Sequence, residues 1–354
     1  MENNNNNNCS INKVQMVVNG FMSTAIIYTA CELDLFDIIK KNNRLSVYEI
    51  AEKINVNEQY LIRVFRLLDQ YNLVNLTEYV EITKEGELLT DDHPESLKDY
   101  ALFCGRESVK GWMELYPAIK QNKSPYELLE DKEMFETLDK SADKFSTFNK
   151  MMSSVSKQLE LTGVFEKVFS KNDCLEIVDV GGGTGTIIQK ALEYYINSKG
   201  TIIDLAQARK DAEERLVQCG LSKRCSFQEG DFFKPIEKRG DLYILSRVLH
   251  DWDEEKAKLI LNDVVSAMSS DSRLVVIDEV ISQRSDSNAL KGYICDIQMW
   301  VFCNGRERTY QEFVDLFDKA GLEIESVVDI DNGTSGLVCR KKDAAGDSFV
   351  MGEI

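Results

Sequence analysis

Three observations predict an α/β fold for this 354-residue chain. The stretch Leu175–Gly185 reads as a buried strand that runs into a glycine turn and then a helix. From 175 to about 341, strand and helix patterns alternate regularly. Polar residues collect at or near the carboxyl ends of those strands (Asp179, Asp204, Asp231, His250 and Glu279), the edge where open parallel sheets hold ligands. A helical part precedes the sheet, so two domains are expected, and the length allows two cores.

Taken in order, residues 1–12 are an asparagine-rich tail that has nothing to bury and is expected to be disordered. From Val14 to Ile39 the pattern is helical and apolar all round. Such a helix is either buried in its own domain or packed on a partner chain. Ser46–Leu73 predicts a helix–turn–helix. Ser46 with Glu49 forms a capping box. Val47, Ile50, Ala51 and Ile54 make one face, Asn55–Asn57 breaks the helix, and Leu61, Val64, Phe65, Leu67 and Leu68 make the next. Two short strand-like runs, Val74–Leu76 and Tyr79–Ile82, complete a winged-helix-like pattern within 13–95. Such a fold binds DNA or dimerises. Arg63 and Arg66 sit on the second helix, but acids crowd the region and no basic stripe forms a phosphate footprint.

Residues 96–170 read as a helical connector. Its Phe- and Met-rich stripe, with Phe148, Met151 and Met152, suits a core or a pocket for a flat aromatic ligand. The sheet domain, 171–341, then opens. Gly181–Gly185 gives a turn in which missing Cβ atoms permit positive φ and close approach of a ligand. The dinucleotide pattern G-x-G-x-x-G is not met, because Thr186 stands at its last place, which argues against a dehydrogenase. Gly200–Leu205 is a second strand, its Asp204 lying 19 residues past Gly185, a spacing suited to ribose hydroxyls. A helix follows over Ala208–Gln218. Ser226–Gln228 with Gly230–Phe233 is a third strand and its exit. Leu242–Leu249 is a fourth, leading to His250-Asp251-Trp252. Asp253 caps a helix to Met268, and Leu274–Val280 is a fifth strand. Thr309 and Glu312 form a capping box, and two short strands, Glu325–Ile330 and Gly336–Cys339, close the sheet. Residues 342–354 are expected to be a flexible tail.

The formal net charge of −18 opposes nucleic acid and anionic membrane as partners. The nine cysteines include no C-x-x-C pair and read as reduced thiols. No basic-then-apolar leader and no apolar run of membrane-span length are seen, so a cytoplasmic protein is expected. The chain has two histidines. His93 lies in a surface-loop composition, whereas His250 follows an apolar strand at its functional end. One such histidine without a spaced Cys/His set predicts no metal site.

Four motifs together resemble the plant caffeic-acid-type, cation-independent O-methyltransferases: VDVGGGTG (178–185), GDFF (230–233), LSRVLHDW (245–252) and GRERTYQEF (305–313). The resemblance covers 13–340. It implies a Rossmann-like class I methyltransferase domain with a mostly parallel seven-stranded sheet, preceded by a winged-helix dimerisation domain, and hence a homodimer. It implies S-adenosyl-L-methionine as cofactor and a small phenol as acceptor, its proton removed by His250 as general base. In this family Glu279 and Glu307 flank the base and Asp251 follows it. Asp179, Gly181, Gly183, Gly185, Asp204, Leu205, Asp231 and Phe232 fall on the cofactor positions. The family lysine four residues before the histidine is Ser246 here, with Arg247 beside it, so that contact is either lost or moved to Arg247. Trp252, Met299, Trp300 and Cys303 join Phe148, Met151 and Met152 on the acceptor side. The asparagine-rich start points to an amoebozoan relative acting on a polyketide-derived phenol. A winged-helix regulator carrying an idle methyltransferase domain is the alternative.

Overall fold

The computed structural model describes residues 11–42, 44–130, 134, 137, 142–282, 287–331 and 333–342; most of the asparagine-rich start and all but one residue of the C-terminal tail lie outside them. The chain divides into two compact units, Met1–Met113 with Ser146–Gln158, and Glu114–Phe145 with Leu159–Ile354. The 96–170 stretch is thus shared between the two.

In the first unit, helices α1 (Gly20–Glu32), α2 (Leu35–Asn42), α3 (Val47–Ile54) and α4 (Glu58–Gln70) precede an antiparallel pair, β1 (Val74–Leu76) and β2 (Val80–Ile82). Local chemistry sets these ends. Ser46 and Glu49 form the capping box of α3, which stops at Asn55 in the left-handed region, and the Asn57 side chain accepts from Gln59 N at the start of α4. The apolar faces of α2, α3 and α4 meet in a core that includes Phe36, Ile50, Phe65 and Leu68. A later helix, α5 (Lys98–Phe103), begins with a buried Lys98. Its Nζ lies 2.6 Å from Asp34 Oδ1, 2.6 Å from Asp37 Oδ2 and 3.0 Å from Asp91 Oδ1. The three carboxylates lie within 4.8 Å of one another, a spacing suited to a cation, and the lysine ammonium is that cation. Burial opposes its charge, but the three acids outweigh burial and hold its pKa above the ordinary lysine value.

One expectation is corrected here. Ile11–Glu32 is helical, long and apolar enough by length and composition to cross a membrane. A search for an unbroken apolar run misses it because uncharged polar residues interrupt the stretch. Much of this helix is exposed, Met16 and Val17 to 76 % each, while Ala30 and Cys31 are the residues that α1 buries. The helix α6 (Ala142–Lys157) carries Phe148 against Phe103 of the same unit, with Met151 buried and Met152 half-buried.

The second unit is a twisted sheet in the order β5-β4-β3-β6-β7-β10-β9. Its strands are β3 (Glu176–Val180), β4 (Lys199–Asp204), β5 (Cys225–Glu229), β6 (Leu242–Ser246), β7 (Arg273–Ile281), β9 (Leu322–Asp331) and β10 (Thr334–Lys341). A two-residue strand, β8 (Arg308–Thr309), pairs alongside the end of β7. Strands β5 to β7 run parallel, and β10 is antiparallel to both its neighbours. The last two strands are longer than their sequence pattern predicts, because they form one hairpin that extends along β7. β6 ends at Ser246 rather than Leu249, since Arg247 takes a left-handed φ of 54° and turns the chain out of the sheet. Among its helices are α7 (Thr186–Tyr194), α8 (Arg209–Gln218), α9 (Glu254–Ala267), α10 (Ser287–Cys303) and α11 (Tyr310–Lys319). Asp253 accepts from Lys256 N to cap α9, and Thr309 with Glu312 forms the capping box of α11.

Lys98→Met leaves three clustered carboxylates without their cation. It should lower unfolding free energy by about 3 kcal/mol, the low end for a broken buried pair because two of the acids are exposed. Urea denaturation at pH 7 reads this. An unchanged midpoint at pH 7 would refute the arrangement.

Candidate active site

The carboxyl ends of β3, β4, β6 and β7 share one edge of the sheet, and each delivers a polar group there. After β3, Gly181, Gly183 and Gly185 take φ values of 71°, 53° and 79°. Nothing lies within 4 Å of where a Cβ of Gly183 would stand, so the loop presents bare backbone on that side. Asp204, at the end of β4, accepts from Gly183 N (2.7 Å) through one oxygen and from Leu205 N (2.7 Å) through the other, tying the loop to the next strand. Asp179 is fully buried, and burial with the nearby charge of Asp204 pushes its pKa up to about 7. Asp231 accepts from Phe233 N (2.9 Å), and its neighbour Phe232 is half-buried.

Beyond β6 the chain makes a short 3₁₀ turn, Leu249–Asp251. His250 on it is 7 % exposed, and its Nδ1 lies 2.9 Å from Oε1 of Glu307, which is 2 % exposed. Its Nε2 is 3.7 Å from Asp251 Oδ1, outside hydrogen-bonding distance. Glu307 is set in place by its own N–H, which donates to Asp296 Oδ1 on α10 (2.9 Å), and Arg306 N donates to the carbonyl of His250 (2.8 Å). Cys303 Sγ donates to Met299 O (3.1 Å) and faces Asp251 Oδ1 at 3.5 Å. Burial alone would depress the imidazole, but the Glu307, Asp278 and Asp251 charges outweigh it and raise its pKa to about 10. Burial in turn lifts Asp251 to about 6, against the pull of His250.

Two expected roles are corrected. Glu279 does not share the histidine with Glu307. Its Oε2 accepts from Thr334 (3.0 Å) and pairs with Lys291 Nζ (3.6 Å). The residue whose charge reaches His250 from β7 is Asp278, fully buried, without a hydrogen-bond partner among the described residues, and lifted to about 7 by burial with His250 opposing. Adjacent residues of a strand face opposite ways, so only one of this acidic pair can look at the histidine. Trp252 is not placed as pocket lining. It is buried in the core, its ring 4.8 Å from Phe233 and 6.1 Å from Phe232. Ser246 ends β6 with its Oγ buried and without a hydrogen-bond partner among the described residues. Arg247 donates its N–H to Ile277 O (2.9 Å), and its side chain sits in the field of Asp278, Glu279 and Glu307. Met299 and Trp300 are half-buried on α10. Asp278, Asp296 and Arg308 were not singled out from the sequence. The signal for Asp278 is a carboxyl that directly follows the apolar run Leu274–Ile277 inside a strand pattern.

The chain is similar to known proteins over nearly its whole length. A family model described as the O-methyltransferase domain matches residues 112–323, and one for the O-methyltransferase dimerisation domain matches 16–88. Acetylserotonin O-methyltransferase of Gallus gallus is 30 % identical over 320 residues, 86 % of this chain and 89 % of the relative. Mitomycin biosynthesis 6-O-methyltransferase of Streptomyces lavendulae is 27 % identical over 316 residues, 88 % and 89 %. Among solved structures, an O-methyltransferase from neocarzinostatin biosynthesis, in complex with S-adenosylmethionine and 2-hydroxy-5-methyl naphthoic acid, superposes with a TM-score of 0.74 at 27 % identity, covering 90 % of this chain and 96 % of that one.

A Cβ on Gly305 would stand 2.1 Å from the His250 carbonyl oxygen and 2.7 Å from the Asp251 carbonyl carbon, both rigid backbone. Gly305→Ala should therefore cost about 1–3 kcal/mol and push the histidine turn away from Glu307. Thermal unfolding at wild-type temperature would count against this packing.

Proposed function

The chain belongs to the O-methyltransferase family, and we propose that it moves a methyl group from S-adenosylmethionine to a hydroxyl of a small aromatic acceptor, with His250 as general base. The observation that carries this reading is the 2.9 Å contact of Nδ1 with Glu307. It fixes one face of the ring and leaves Nε2 for an incoming hydroxyl. The relative named for acetylserotonin and the neighbour holding a hydroxynaphthoic acid support an aromatic hydroxyl as acceptor. Within that class a polyketide-derived phenol is the acceptor we favour. The exposed Met16, Val17, Val18, Phe21 and Met22, inside the span matched by the dimerisation domain, support a homodimer formed by a second copy covering them.

The residues present fit the cofactor. Bare backbone at Gly183, left-handed glycines at 181, 183 and 185, and an acid at the end of β4 suit a nucleoside laid across the sheet edge. Gly181, Gly183, Gly185, Asp204 and Leu205 would hold it, with Asp231 and Phe232 on the adenine side. Arg247 takes the place of the family lysine that Ser246 lacks. When bound, the sulfonium supplies an electrophilic methyl carbon. The protein's task is to bring a hydroxyl oxygen into line with it and to remove the proton. The acids around His250 raise its proton affinity above that of an ordinary histidine, which makes the neutral ring a stronger base toward a phenol. Glu307 fixes the tautomer and faces the imidazolium as it forms, as the acid of a triad does.

Methyl transfer from labelled S-adenosylmethionine to a panel of phenols tests the reading. His250→Ala should lose transfer by roughly 10²–10⁴-fold while still binding S-adenosylhomocysteine. Asp204→Ala should weaken that binding first. Equal loss of both properties in His250→Ala would make the residue structural. A pH profile gives a second check. The rate should climb with pH as His250 sheds its proton, along a limb lying above the ordinary histidine value of about 6.5. Glu307→Gln removes the largest charge raising that pKa, so the limb should move to lower pH while the plateau falls. A limb that stays in place would dissociate Glu307 from the base.

A further inference from the structure

The histidine turn is gripped from two sides by successive residues of one extended segment. Where β8 pairs with β7, side chains alternate in direction. Glu307 meets the ring of His250, and Arg308 lies beneath the turn's backbone. The Arg308 guanidinium is fully buried. Its Nη1 donates to Leu249 O (2.8 Å) and its Nη2 to Trp252 O (3.0 Å), the carbonyls on either side of His250 and Asp251. Its Nε faces Glu254 Oε2 at 3.5 Å, an ion pair that Glu254 shares with Lys319. The two strong contacts thus go to the turn and the weaker one to the helix behind it.

We propose that Arg308 is a positioning residue for His250: its planar fork clamps the backbone on both sides of the histidine and so sets the ring's distance to Glu307. This rests on the reading of His250 as the base. Only a guanidinium reaches two carbonyls with separate, rigidly spaced donors. A lysine ammonium occupies one point and leaves a buried carbonyl unpaired. Without the clamp, the turn is held to the 305–308 segment by the ring contact itself and by the Arg306 amide.

The chain's two histidines make the test direct, since His93→Gln leaves His250 as the one imidazole in the NMR spectrum of histidine-labelled, full-length protein. In Arg308→Lys the ring should lose the shifted Nδ1 proton resonance of its bond to Glu307 and titrate at lower pH than in the wild type. S-Adenosylhomocysteine affinity should hold, and kcat for methyl transfer to a phenol should fall by about 10²-fold. In a Glu307→Gln background the same substitution should add little to the loss, because both act through one contact. A wild-type ring spectrum and titration in Arg308→Lys would overturn the proposal whatever the activity, as would fully additive losses in the double variant. Arg308→Gln, which keeps one donor, replaces the lysine variant should that one not fold, with the same outcomes read. If the wild type transfers methyl to no phenol, the functional reading fails while the ring spectrum still decides the role of Arg308.

Discussion

The contact between Nδ1 of His250 and Oε1 of Glu307 joins two stretches 57 residues apart, and much of the second unit exists to make it. β6 delivers the turn that bears the histidine; β7 offers the surface on which β8 lies, and β8 follows directly from Glu307. α10, between them, supplies the Asp296 carboxylate that anchors the Glu307 amide. Both partners are buried, so water does not screen the pair, and the charges that gather around it set its proton affinity.

Much of this was legible in the sequence. Alternating strand and helix patterns, the glycine run and two capping boxes are local signals, and each marks the element it predicts. The place of His250 was equally plain, because one of two histidines stands just past a strand's carboxyl end. What could not be read is direction. Asp278 and Glu279 are neighbours on one strand, and which of them faces the histidine depends on the register of β7 against β10. Trp252 shows the same limit. Its motif marks it as part of a site, but the aromatic rings of Phe232 and Phe233 draw it into the core. Arg308 has the composition of a surface residue and was legible only as part of a motif, since its partners are backbone carbonyls far along the chain.

The first unit poses the opposite problem. Its helix faces and breaks are local, and they follow the sequence closely, down to the left-handed Asn55. Its burial does not. Apolar residues of Ile11–Glu32 that look like core are exposed, and Lys98, which looks like surface, is inside. Hydropathy alone cannot separate a core from an interface, and a charge goes inside when its counter-charges are built to meet it.

Strand β10 lies between β7 and β9, although it is the last of the three in the chain. It places Thr334 and Ser335 opposite Glu279 and Asp278, and Thr334 bonds directly to Glu279. During synthesis on the ribosome, β9 therefore emerges without a neighbour to join, and the edge of β7 that carries both acids stays open. The sheet grows past β7 only when residues 334–341 fold back on β9 as a hairpin and pair with β7 across a long sequence separation. The edge of β7 that bears Asp278 and Glu279 is thus covered only by a hairpin, residues 322–341, that is made after every other strand of the sheet, and until then it stands open to pairing with another chain.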